Sequence, residues 1–307
     1  MKQLILKFLL LCLAVCMTPL LICLCIAPQY THSYNAAFID KIDRLERQPS
    51  PKIILVGDSN LAFGIDSALL EKQTGFPVVN LGLHGGLGNA FHERMALFNT
   101  NAGDIVVICH LTYADDDIIP DPELALLCVE NNFHLWKVFR PQDYPRVLRA
   151  IPNYTNHCVQ KFIKRADTES EDSCYTRSAF NEYGDNIFPR TQAGGETAPV
   201  LWHPSVNETC MKRINAFAAS CREKGAQLVI AGAPILSGLQ DFSPDEYRTF
   251  QEELEALAEC PVISNYSDYV FDKSYFFMGA LHMTNEGAVL RTQQLARDLK
   301  AYLAKQS

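Results

Sequence analysis

The chain has 307 residues, 48% of them apolar and 20% charged, with a formal net charge of −8. That length can bury the core of one large domain, or of one domain carrying a substantial insertion. An acidic balance without a basic stripe argues against a nucleic-acid-binding protein, and no internal repeat is present.

Lys2 and Lys7 precede an uncharged apolar run from Phe8 to Ala27, 20 residues long, which is the span of a hydrocarbon core. No further Lys or Arg follows until Lys41. The positive-inside rule therefore keeps the N-terminus in the cytoplasm and exports the rest. Pro19 inside the run is tolerated by a membrane helix. The run is long for a cleaved signal peptide and no small-x-small site precedes Pro28, so residues 1–28 read as an uncleaved single-pass anchor in the cell membrane. Of the 11 cysteines, Cys12, Cys16, Cys23 and Cys25 lie in this run. Cys109 ends an apolar strand and reads as a buried thiol. Cys128, Cys158, Cys174, Cys210, Cys221 and Cys260 are free to pair in an exported domain, with a connectivity that spacing does not give.

Residues 29–51 read as a stalk or linker, helical with Ile39, Ile42 and Leu45 on one face and ended by Pro49-Ser-Pro51. A domain over 52–307 follows. Lys52–Val56 is an apolar run broken by Gly57-Asp58, with Ser59 next, which predicts a buried parallel strand running into a turn. The Ser59 hydroxyl then stands at the carboxyl end of a strand, where open α/β sheets bind ligands and free backbone N–H groups can face an anion. Asp66 caps a helix to Gln73, stopped by Gly75 and Pro77. Val78–Leu81 is a second strand running into the cluster Gly82-Leu-His-Gly85-Gly86-Leu-Gly88, and a helix over 89–98 leads to a third strand, Asp104–Cys109.

Residues 115–204 break the rhythm and read as a helical insertion over the ligand end of the sheet. Asp115-Asp116-Asp117 opens it as a solvated loop, because no His or Glu at ligand spacing joins these aspartates, and no metal is expected. A helix over 207–224, a strand Gln227–Ala231, a helix over 244–258 and a short strand Pro261–Ser264 resume the alternation. A loop carries Asp272 and His282. Thr284 or Asn285 caps a last helix that turns Ala288, Leu295, Leu299 and Leu303 inward. The expected fold class is α/β: a doubly wound, mainly parallel five-stranded sheet with a helical insertion after strand three and an N-terminal transmembrane helix.

Ser59 after the first strand, a glycine cluster headed by Asn80 after the second, and His282 before the last helix stand in one order. In that order the chain resembles the SGNH (GDSL) hydrolase family, over about Lys52–Tyr113 and Gln227–Leu303, and the resemblance implies a flavodoxin-like sheet. It implies that Ser59 is the nucleophile, that Gly85 and Ser59 supply oxyanion N–H groups, and that His282 is the general base. Two places depart from the family pattern. The third block, which carries an asparagine donor in the family, reads His110-Leu111-Thr112-Tyr113, leaving Thr112 or Tyr113 to substitute. The aspartate expected three residues before the histidine is Gly279, which leaves Asp272, ten residues ahead, as the candidate acid if the loop folds back. His84 and His110, at strand ends, read as packing residues. The anchor, the insertion and the phrases Gly64-Ile-Asp66 and Phe180-Asn-Glu-Tyr-Gly-Asp185 are similar to the membrane-anchored, cell-envelope branch of the family. That branch implies a serine esterase or O-acyltransferase acting on acylated envelope glycan, without metal or organic cofactor. Its alternative is a non-catalytic binding or accessory protein for a membrane acyltransferase.

Overall fold

The structure, a computed structural model, describes residues 1–26, 28–130, 132–164, 173–191, 205–237 and 244–306, with the backbone alone at 16, 19, 20, 23, 24 and 244. Helices α1 (Lys2–Ile26) and α2 (Ala37–Arg47) precede strand β1 (Ile53–Val56). Then come α3 (Ser59–Ala62), α4 (Ser67–Thr74), β2 (Val78–Asn80), α5 (Asn89–Ala96) and β3 (Ile105–Ile108). Helices α6 (Pro122–Val129), α7 (Tyr144–Lys164) and α8 (Glu208–Glu223) lead to β4 (Gln227–Ile230). The chain closes with β5 (Ile235–Leu236), α9 (Pro244–Leu257), β6 (Val270–Phe271), the hairpin β7 (Phe276–Met278) and β8 (His282–Met283), and α10 (Asn285–Ala304).

β1 to β4 form one parallel sheet in the order β2-β1-β3-β4. Every residue of β1, β2 and β3 is buried, as expected for strands covered on both faces and written as unbroken apolar runs. Within each run the period of two sorts the side chains. Ile54, Val56, Val106, Ile108, Leu228 and Ile230 join the core under α2, α5 to α8 and their neighbours. Ile53, Leu55, Ile105, Val107 and Val229 face Leu61, Leu70, Leu295 and Leu299 of α3, α4 and α10. From β1 the chain steps to β2 on one side and then crosses to β3 on the other. The carboxyl ends of β1 and β3 therefore flank the point where strand order reverses, the usual ligand crevice of such sheets. Ser59 leaves the sheet there.

The expected fifth strand at Pro261–Ser264 shrinks to one parallel bridge between Ile230 and Val262, so the sheet has four strands. Pro261 has no N–H to extend a ladder and serves only as acceptor for Ile230 N–H at 2.9 Å, and Asn265 then caps a tight turn. The segment expected as a stalk is also part of the domain. Phe38, Ile42 and Leu45 of α2 are fully buried, and Arg44 donates from Nε to Val78 O at 3.0 Å. An amphipathic stripe does not reveal whether a helix flanks a domain or covers it. The last helix matches expectation: the Thr284 hydroxyl accepts Gly287 N–H at 3.0 Å, and Ala288, Leu295 and Leu299 are buried, while Leu303 is half-buried.

α1 is a 25-residue helix whose only charges are Lys2 and Lys7. Leu9, Leu10, Leu11, Leu13 and Val15 are exposed along it. Among the described residues no helix is long and apolar enough to cross a membrane, and five side chains inside α1 fall outside that description. Of the expected insertion, α6, α7 and the segment 173–191 are described, while 165–172 and 192–204 lie outside the described residues.

Candidate active site

Gly57 ends β1 where the chain passes close to β3: a Cβ there would stand 3.1 Å from Cys109 O and 2.9 Å from the Leu61 side chain. The following turn is densely bonded. Asp58 caps α3 by accepting Asn60 N–H at 2.7 Å and Asn60 Nδ2 at 2.6 Å. Asn60 Nδ2 also reaches Cys109 O at 3.1 Å, and Arg291 of α10 donates to Asn60 O at 2.7 Å and Asn60 Oδ1 at 2.8 Å. One buried asparagine and one buried guanidinium thus fasten the turn to both β3 and α10. Ser59 sits on this frame, half-buried, as the first residue of α3.

His282 opens β8, and its Nε2 lies 2.9 Å from Ser59 Oγ. The imidazole stacks on Phe63, with centroids 4.4 Å apart and planes at 27°. Its Nδ1 is buried and has no hydrogen-bond partner among the described residues. Burial, joined by the positive charge of Arg190 and by His84, pulls the imidazole down to about 4, so it is neutral near pH 7. A neutral imidazole within hydrogen-bond reach of a serine can accept its proton.

Gly85 lies beside the turn: a Cβ on it would stand 3.7 Å from Asp58 Cβ and Oδ2. It begins a short 3-10 turn whose Gly86 N–H is taken by His84 Nδ1 at 2.9 Å. The N–H groups of Ser59 and Gly85 have no partner among the described residues, the condition for an oxyanion site.

Other expected residues are elsewhere engaged. The Thr112 hydroxyl donates to Ser205 O at 3.4 Å and accepts Ala114 N–H at 3.3 Å, while Tyr113 is buried with its hydroxyl 3.0 Å from that of Tyr266. Neither touches Ser59. Asp272 is exposed and caps its own turn, accepting Ser274 N–H at 2.9 Å and Ser274 Oγ–H at 2.7 Å, bonds that hold its carboxyl below the usual range. The loop does not fold back, because β7 and β8 pair as a hairpin between Asp272 and the imidazole. Asp115 and Asp117 are not a solvated loop: Asp115 pairs with Arg213 at 2.8 Å, and Asp117 pairs with Arg140, which also holds Asp143 at 2.9 Å. No metal-binding cluster occurs among the described residues. His110 is buried with Nε2 3.1 Å from Glu93.

Several participants escaped the sequence reading. Asp185 accepts Ser67 N–H at 2.7 Å, Ser67 Oγ–H at 2.6 Å and Asn80 Nδ2 at 2.8 Å. Lys41 of α2 donates to Asn80 O at 3.1 Å and Gly184 O at 2.5 Å. The two phrases singled out in the sequence, around Asp66 and Asp185, therefore meet beneath the glycine cluster. Asn80 is spent on this brace and does not face Ser59. Arg190 and Phe63 also surround His282, and nothing periodic or motif-like marks either. Comparison of the chain with protein-family models, curated proteins and solved structures returns no match.

Proposed function

We propose that the chain is a membrane-tethered, extracytoplasmic serine esterase or O-acyltransferase of SGNH type, acting on acyl esters of envelope glycan. The observation that carries this reading is the 2.9 Å contact between Ser59 Oγ and His282 Nε2, made across 223 residues of sequence, with the N–H groups of Ser59 and Gly85 free of partners among the described residues. Ser59 Oγ attacks the ester carbonyl while its proton moves to His282 Nε2. The carbonyl oxygen takes the negative charge against the N–H groups of Ser59 and Gly85. The carbon–oxygen bond to the leaving alcohol then breaks, and that oxygen takes the proton from Nε2. Water or a sugar hydroxyl repeats the sequence on the acyl-serine, giving hydrolysis or transfer. The exposed apolar length of α1 supports the anchor, with the N-terminus cytoplasmic and the domain outside.

A second reading, a non-catalytic SGNH-fold partner of a membrane acyltransferase, is favoured by the Nδ1 of His282, which has no partner among the described residues, and by Asp272 capping its own turn. Fluorophosphonate labelling of the full chain separates the two. The enzyme reading expects labelling that vanishes in Ser59→Ala; equal labelling of that variant and the native chain ends it.

A further inference from the structure

We infer that Arg190 is the positioning residue for His282, one guanidinium tying the turn that carries the serine to the hairpin that carries the imidazole. The inference rests on the proposed function and concerns how a site with no acid on Nδ1 among the described residues keeps its base in place.

Arg190 is 1% exposed and makes no ion pair among the described residues. Its donors go to carbonyl groups. Nε bonds Met283 O at 2.9 Å, the residue after His282, and Nη2 bonds Phe63 O at 3.1 Å, the residue that closes α3. Nη1 bonds Asn186 O at 2.5 Å, Asn186 Oδ1 at 3.1 Å and Phe188 O at 3.3 Å. Its main chain clasps Asn285 in both directions, donating to Oδ1 at 2.6 Å and accepting from N–H at 3.2 Å. The guanidinium also lies over the Phe63 ring at 5.1 Å, the ring on which the imidazole stacks. A buried cation without a counter-ion is costly, and a long apolar side chain would fill the same space. What only a planar fork supplies is simultaneous bonding to the two elements whose register sets the serine–imidazole distance.

The charge acts as well. A carboxylate on Nδ1 would favour the imidazolium; Arg190 opposes it, and with burial and His84 it keeps His282 neutral. Among the described residues the charged or titratable groups acting on the ring are Arg190 and His84, while Asp272 accepts from Ser274. In the reaction Arg190 neither gains nor loses a proton: the serine proton passes to Nε2 and from there to the leaving oxygen.

The test compares Arg190→Lys and Arg190→Met in the full chain, reading fluorophosphonate labelling against pH and the His282 ring titration by NMR with histidine labelled at Cε1, assigned with His282→Gln. Arg190→Met is expected to label about 10- to 100-fold more slowly and to move the ring midpoint up from about 4 toward the ordinary value of about 6.5. Arg190→Lys keeps the charge and hence the low midpoint, but loses the fork and labels slowly. A native labelling rate in either variant overturns the inference, as does slowed labelling in Arg190→Met with an unmoved midpoint. If Arg190→Met does not fold, Arg190→Lys decides: slow labelling with a low midpoint supports the role and a native rate refutes it. Should no form label, the proposed function has failed, and the NMR midpoint still reports whether Arg190 controls the ring.

Discussion

The two halves of the site are held by different means. Around Ser59, bonds between sequence neighbours, Asp58 and Asn60, shape the turn, and Arg291 and Cys109 O tie it to α10 and β3. Around His282 there is a two-residue strand, a stacked ring and a guanidinium from far along the chain, while Nδ1 lacks a partner among the described residues. The serine's turn is shaped by its own residues and then tied down from β3 and α10; the imidazole has no such local frame and is fixed by what packs on it. A turn that bonds itself is written locally, and a position defined by packing is not.

The sharpest way to break this comparison is at the contact itself. His282→Ala is expected to slow fluorophosphonate labelling by about 10³-fold or more, as removing the triad histidine does in serine hydrolases; native-rate labelling would detach the imidazole from the chemistry. Next is the frame. Asn60→Ala removes the Oδ1 acceptor of the buried Arg291 guanidinium and the Nδ2 donor to Asp58 and Cys109 O, and is expected to cost about 2–3 kcal/mol, read as a lowered urea midpoint. A loss under about 0.5 kcal/mol would show that the turn does not need its frame.

The pH profile is a gentler probe. A general base must be neutral, and the His282 midpoint is about 4, so labelling should stay level from neutral pH to about 5 and fall by half near 4. An acid limb near the ordinary histidine value of about 6.5 would place the ring in a wetter, less cationic setting. Gly279→Asp sharpens the point further. Gly279 has φ +63 with nothing within 4 Å of its would-be Cβ, and aspartate tolerates that backbone better than most residues. A carboxylate there is expected to raise the His282 midpoint by about one unit, and an unmoved midpoint would show that it does not reach the ring. The smallest effect belongs to Asp272→Ala. Losing an exposed cap of a three-residue turn should leave the urea midpoint and the labelling rate close to native; a large loss of labelling would return Asp272 to the site.

Much of this was legible in the chain. The apolar runs at 53–56, 78–80, 105–108 and 227–230 became the sheet, and their uniform apolarity predicted cover on both faces. The breaks after them put Ser59 and Gly85 at strand ends. Pro261–Ser264 was too short and too proline-bound to pair beyond the single bridge at Val262, and the stripe on α2 gave no sign that Lys41 and Arg44 would be drawn inward with it. Thr112 and Asp272 were nominated by their place in a pattern, and both bond within a few residues or to the returning insertion instead.

By itself the sequence determined the parallel sheet, the turn that presents Ser59 and the helix caps, because each depends on a few adjacent residues with fixed conformational preferences. Only the tertiary structure decided the 2.9 Å separation of His282 Nε2 and Ser59 Oγ, that Asp185 braces Asn80, and that Arg190 bonds both Met283 O and Phe63 O. The order of residues along the chain nominated Ser59 and His282 as partners, but the distances and the bracing bonds depend on which carbonyls and rings face one another once the intervening chain has packed.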